Sequence, residues 1–125
     1  MIRLGSEDEA IEILSEPETI RRINMMPERT LHQPWIVEQG KYKMLFFFWP
    51  VGDMIFEFHI AAPKSDIIKC RSLARELMDW IFSLGATKLV SSCPAGKIAN
   101  MAIKAGMTPY KTDKNDIYFE ISSWL

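Results

Sequence analysis

Cysteine is scarce, with Cys70 and Cys93 the only two in 125 residues. Their spacing is neither a CxxC motif nor a pair of zinc ligands, which excludes a disulfide framework and a cysteine-based zinc site. Both read as reduced, partly buried thiols of a reducing compartment. Histidine is equally scarce: His32 and His59, with no carboxylate cluster beside them, do not make a metal centre. Charge of one sign is missing too. Fifteen Lys and Arg against sixteen Asp and Glu leave a net charge of −1. No basic run stands out, so a nucleic-acid interface built on a basic face is not expected. The longest apolar run, Met44 to Trp49, is far too short to cross a bilayer. The opening Met1-Ile-Arg-Leu4 leads straight into acidic residues, unlike a signal peptide. These absences predict a soluble cytoplasmic protein with neither membrane nor nucleic acid among its partners.

What is present is an ordinary globular composition, 48% apolar and 25% charged. It suits one domain over residues 1–125, large enough to bury its own core. The chain is organised around Met54 to Cys93. Met54-Ile-Phe-Glu-Phe-His-Ile60 alternates strictly and reads as a strand. Ser65-Asp66 offers an N-cap, and apolar residues at Ile67, Cys70, Ala74, Leu77, Ile81 and Leu84 form a helical stripe. Gly85 stops that helix, and Thr87 to Ser92 reads as the next strand. Strand, helix, strand is a βαβ unit with parallel neighbours and a right-handed crossover.

Around this unit the other elements follow in order. Ile2-Arg-Leu4 is a short strand. Ser6-Glu-Asp-Glu9 has capping-box form and opens a helix carrying Ala10, Ile11, Ile13 and Leu14. A second helical segment is predicted from Pro17, with Ile20 and Ile23 on one side. Asn24 to Gln33 has no period and reads as a loop. Trp35–Glu38, Tyr42–Trp49 and Met54–Ile60 form an antiparallel meander. The run Phe46-Phe-Phe-Trp49 does not alternate, which predicts a central strand covered on both faces. Pro94-Ala-Gly opens a last helix with Ile98, Met101, Ala102 and Ala105 inward, closed by Gly106. Met107–Lys111 and Ile117–Ile121 are the final strands. The predicted fold is α/β, a mixed twisted sheet of about six or seven strands with helices on both faces.

This order of elements resembles the GNAT fold of the Gcn5-related N-acetyltransferases over nearly the whole chain. Met1–Ala10 is similar to that family's opening strand and helix, and Ile60-Ala-Ala-Pro63 followed by a helix ending at Leu84-Gly85-Ala86 to its core unit. Ala105-Gly106-Met107 resembles the lysine-x-glycine-phenylalanine close of its last helix. The resemblance implies acetyl-coenzyme A as cofactor, Glu57 as general base, and coenzyme contacts from Ile60, Ser65, Lys69, Cys70 and Arg71. The family's Arg/Gln-x-x-Gly-x-Gly/Ala loop lets backbone amides at a helix start approach a pyrophosphate. Here Lys64-Ser-Asp-Ile-Ile-Lys-Cys-Arg71 has no glycine. The family's tyrosine acid is replaced by Ala102, and Asn100 does not match its asparagine. A kept scaffold with altered chemistry predicts that acetyl transfer has been lost and that no cofactor is needed. The length, Trp35-Ile-Val-Glu38 and Ser92-Cys-Pro-Ala95 resemble the small GNAT-like head assembly proteins of short-tailed bacteriophages. That resemblance implies phage structural or ejection proteins as partners.

Glu57 and His59 point to one face of their strand, while Phe56, Phe58 and Ile60 point to the other. A general-base reading of Glu57 stands beside a plain polar pair. His32 reads as a solvated loop residue. Tyr110 and Tyr118 read as packed rings with hydrogen-bonded hydroxyls rather than acids. Lys97 after Gly96 lacks the spacing of a phosphate loop. Cys70 at a helix start could be a nucleophile, but a core role fits better. Met25, Met26 and Trp124 suit either a protein contact or the core.

Overall fold

The computed structural model describes residues 1–15, 34–63 and 69–123, and the backbone of residues 20 and 21. Among the described residues eight strands and three helices follow in order: β1 (Ile2–Leu4), α1 (Glu7–Ser15), β2 (Ile20–Arg21), β3 (Trp35–Gln39), β4 (Tyr42–Gly52), β5 (Ile55–Ala62), α2 (Cys70–Ser83), β6 (Lys88–Pro94), α3 (Lys97–Lys104), β7 (Thr108–Asp113) and β8 (Asp116–Ser122). Seven strands lie side by side in the order β1-β3-β4-β5-β6-β8-β7, and β2 pairs with the far end of β5. The β5–β6 pair is parallel, and the other pairs are antiparallel.

The unbroken apolar run in β4 follows from its central place. Met44 and Phe46 join the core beneath α2 and α3, with Phe48 packed against it. Leu45 and Phe47 join a second core beneath α1, with Trp49 against it. Each residue of the run therefore has an apolar face to fill, and alternation by polarity would leave one face without a partner. Trp80 of α2 closes the first side: its ring lies 6.0 Å from Phe46, 5.7 Å from Phe48 and 5.0 Å from Trp35.

Local signals set the helix ends. The Ser6 hydroxyl accepts from the Glu9 backbone N–H at 3.1 Å, and the Glu9 carboxylate accepts from the Ser6 N–H at 3.2 Å. This is the reciprocal capping box read from the sequence. Arg3 of β1 adds a fork to Glu9 at 3.0 and 2.7 Å and a further contact to Glu38 at 3.0 Å. α2 ends at Ser83, with Gly85 at a φ of +106° just beyond. Leu84, predicted on the buried stripe, is 53% exposed. It lies past the last helical residue, where the 3.6-residue period no longer applies.

Two expectations change in detail. Ile20, predicted in a second helix, is in β2, where it pairs with Ala62 as Arg21 pairs with Ala61. The free edge of β5 demands backbone partners, and that demand outweighs the local helical pattern. The rest of that predicted helix and loop 24–33 lie outside the described residues. α2 starts at Cys70, with no side-chain cap on Lys69; the expected cap at Ser65-Asp66 also lies outside the described residues.

Candidate functional site

The site begins where two parallel strands part. β5 and β6 are in register at Ile55–Lys88, Phe56–Leu89 and Glu57–Val90. The Ser91 hydroxyl then donates to the Phe58 carbonyl at 2.7 Å, in place of another ladder bond. Beyond it β6 stays with β8, pairing Ser91 with Phe119 and Cys93 with Ile117. β5 runs on with β4 on one side, and β2 covers its other side at Ala61 and Ala62. The splay opens a cleft roofed by α2 and α3.

The cleft holds a cavity of about 50 Å³, lined among others by Ile60, Cys70, Arg71, Ser92, Cys93 and Ala102. That is about a third of the ~150 Å³ of an engineered apolar cavity that binds benzene. Most of the lining is apolar. Burial pushes the Cys70 thiol up to about 11, and it donates to the Met44 sulfur at 3.7 Å. Cys70 is therefore a protonated core thiol, as the simpler reading expected.

Ile60, Cys70 and Arg71 thus meet at one cavity, with Arg71 exposed at its rim. Lys69 turns elsewhere, its Nζ 5.8 Å from the centre of the Tyr42 ring. Ser65 lies outside the described residues. Glu57 sits on the opposite face of β5, directly across from Trp49 and Val90. Its carboxylate is 3.2 Å from His59 Nε2, and its side chain is 33% exposed against 7% for His59. The His59 ring packs against Trp49 at 5.4 Å. Ser91, Ser92, Cys93 and Met101 also line the cavity and were not read as site residues from the sequence. The period of α3 could have found Met101, whereas Ser91, Ser92 and Cys93 are consecutive in β6 and no strand parity selects all three. Tyr110, expected as a packed ring, is 51% exposed, because β7 is an edge strand. Among the described residues no cluster of three or more His, Cys, Asp or Glu could hold a metal ion. None of their helices is long and apolar enough to cross a membrane.

A mixed sheet splayed after its parallel pair, with α1 on one face and α2 and α3 on the other, is the fold of the GNAT acetyltransferases. Three solved structures illustrate the likeness. A Bacillus subtilis acetyltransferase in complex with CoA matches with a TM-score of 0.69 at 16% identity, covering 98% of this chain and 97% of that one. Spermidine N-acetyltransferase from Vibrio cholerae matches with a TM-score of 0.71 at 13% identity, covering 98% and 94%. The N-acetyltransferase PseH from Campylobacter jejuni matches with a TM-score of 0.68 at 18% identity, covering 97% of each chain. No family model matches the chain, and no curated protein is similar to it in sequence.

Coenzyme A is the group this fold implies. Among the described residues, two features narrow the room for it, and residues 64–68 lie outside them. The cavity has room for only a few waters, and β2 occupies the edge of β5 beside it. Ala102 contributes a methyl group to the lining and has no proton to give.

Proposed function

We propose that this chain works by binding other proteins, as an accessory factor in bacteriophage head assembly, and does not transfer acetyl groups. One observation supports the non-catalytic part: among the described residues the cleft holds a cavity of about 50 Å³ with β2 along its edge. The glycine-free stretch 64–71 points the same way. The phage setting rests on the similarity of Trp35–Glu38, Ser92–Ala95 and the chain length to the small head assembly proteins.

The test is calorimetric titration of the purified protein with acetyl-coenzyme A. No heat up to millimolar ligand is expected, followed by direct pull-down of purified phage ejection proteins. Micromolar binding would overturn the non-catalytic reading, and failure to retain any of those proteins would overturn the phage assignment.

A second reading is a divergent acetyl-coenzyme A-dependent N-acetyltransferase with Glu57 as general base. What favours it is the Glu57 carboxylate, one-third exposed and held by a buried histidine on the face away from the cavity. A base so placed could take a proton from an amine approaching from that side. Under this reading Glu57→Gln abolishes turnover while leaving coenzyme affinity unchanged.

A further inference from the structure

Sulfur is concentrated at one place in the fold. The chain has eight methionines and two cysteines. Both cysteines line the cavity of the cleft, together with Met78, Met101 and Met107. Met44 stands beside them, its Sδ 3.7 Å from the Cys70 Sγ. These residues come from β4, α2, β6, α3 and the link into β7. Distant parts of the chain thus bring their sulfurs to one point.

Methionine commonly fills irregular gaps in a core, and packing alone is reason enough for sulfurs to meet there. Packing would close the gap, whereas these side chains border about 50 Å³ left open. The lining has no carboxylate for a hard cation such as magnesium or calcium. The Ser91 hydroxyl is already given to the Phe58 carbonyl. The His59 ring is on the far face of β5, against Trp49 and Glu57. Two thiols without an imidazole or a carboxylate fall short of the four ligands of a zinc ion. Thioethers add what the thiols lack. Together, thiolate and thioether select a soft ion, copper(I) above all.

We propose that the cleft binds one copper(I) ion through the Cys70 thiolate and the Met44 and Met101 thioethers. Two sulfurs at ~2.3 Å from a tetrahedral ion stand about 3.8 Å apart. The Cys70 and Met44 sulfurs are already 3.7 Å apart. Met101, half-buried on α3, supplies the third sulfur from the facing helix. The ion takes the place of the proton that Cys70 donates to Met44. The S–H bond breaks, the sulfur bonds the metal, and the proton leaves to solvent. One monovalent cation on one thiolate puts no net charge into the apolar cleft, and the thioethers add none. A divalent ion on the same ligands would leave a buried charge uncompensated.

The experiment titrates the purified full chain with copper(I), kept reduced without oxygen and held by bicinchoninate as a competing chelator. The chain is expected to withdraw one equivalent, and X-ray absorption of the complex to show only sulfur around the metal, at ~2.3 Å. Met44→Leu and Met101→Leu keep the core volume. Each is expected to weaken binding about tenfold or more, and Cys70→Ser about a hundredfold or more, since losing a ligand costs at least as much as losing an outer partner. Met54→Leu, at an exposed methionine, should bind as the parent does. Circular dichroism and the thermal midpoint establish that the variants fold. If Cys70→Ser does not fold, the two leucine variants and the absorption spectrum of the parent decide. Copper(I) that stays with the chelator reduces these sulfurs to core packing and overturns the site. So does affinity unchanged in the folded variants at 44 and 101, since the metal would then sit on sulfurs elsewhere. Nitrogen or oxygen ligands in the spectrum overturn it as well.

Discussion

Cys70 illustrates how much a side chain's surroundings outweigh its position. It opens α2, where a thiolate would be favoured by the helix start. Its burial has the opposite effect and raises the thiol to about 11. Desolvation wins because burial withdraws the sulfur from the water that would solvate a thiolate. Cys93 is buried as well. The folded protein is therefore expected to resist iodoacetamide at pH 8 and to take up two equivalents once denatured. Rapid modification of Cys70 in the native state, read by mass spectrometry of its peptide, would show that the site is open. Gly106 is constrained by its own backbone. Its φ is +107°, and a Cβ there would stand 2.9 Å from Arg75 Nη1 and 3.3 Å from Ile121 Cδ1. The arginine can swing away, although its Nη1 also donates to the Ala105 carbonyl at 2.9 Å, but the backbone strain stays. That the sequence placed a helix stop at Gly106 was correct for this local reason.

At the scale of the element, α1 is tied to the sheet by charge as well as by its buried Ala10 and Ile13. The Arg3 guanidinium, first of all, and then the Ser6 backbone N–H hold the Glu9 carboxyl down at about 2. In the unfolded chain it would titrate near its ordinary value of 4.5. The folded value is depressed, so the stabilisation is present above pH 4.5 and disappears as pH falls toward 2. The Glu9 side chain is 28% exposed, so solvent screens the contribution to roughly 1 kcal/mol. Glu9→Gln should lower the thermal midpoint at pH 6, and its gap from the parent should close by pH 2. A gap that persists unchanged to pH 2 would assign the effect to packing. This element was legible in the sequence because its cap partners are three residues apart. β2 was not, because nothing in Ile20 and Arg21 announces that an edge 40 residues later is unpaired.

Across the whole molecule, the two cores share one sheet. Phe46 faces α2 while Phe47 faces α1, so neither side can melt without exposing the other face of β4. The chain should unfold in one cooperative step, with calorimetric and van't Hoff enthalpies equal. Two resolved transitions would mean that α1 with its side of the sheet is a separate unit. The splay is likewise a property of the whole. It requires β6 to leave β5 after Glu57 and to follow β8 instead, and both choices depend on strands far apart in the chain.

The sequence by itself determined the order of elements apart from β2, the central place of β4, the parallel pair, the capping box and the alternation that puts Glu57 and His59 opposite Phe58. Each rests on a period or a short-range signal carried by neighbouring residues. Only the tertiary structure decided that Ile60, Cys70 and Arg71 share one cavity while Glu57 and Lys69 stand away from it. It alone decided how small that cavity is, and that β2 lies along its edge. Those outcomes depend on the angle at which two strands diverge and on which backbone groups are left needing a partner. These are sums over distant contacts that no local pattern encodes.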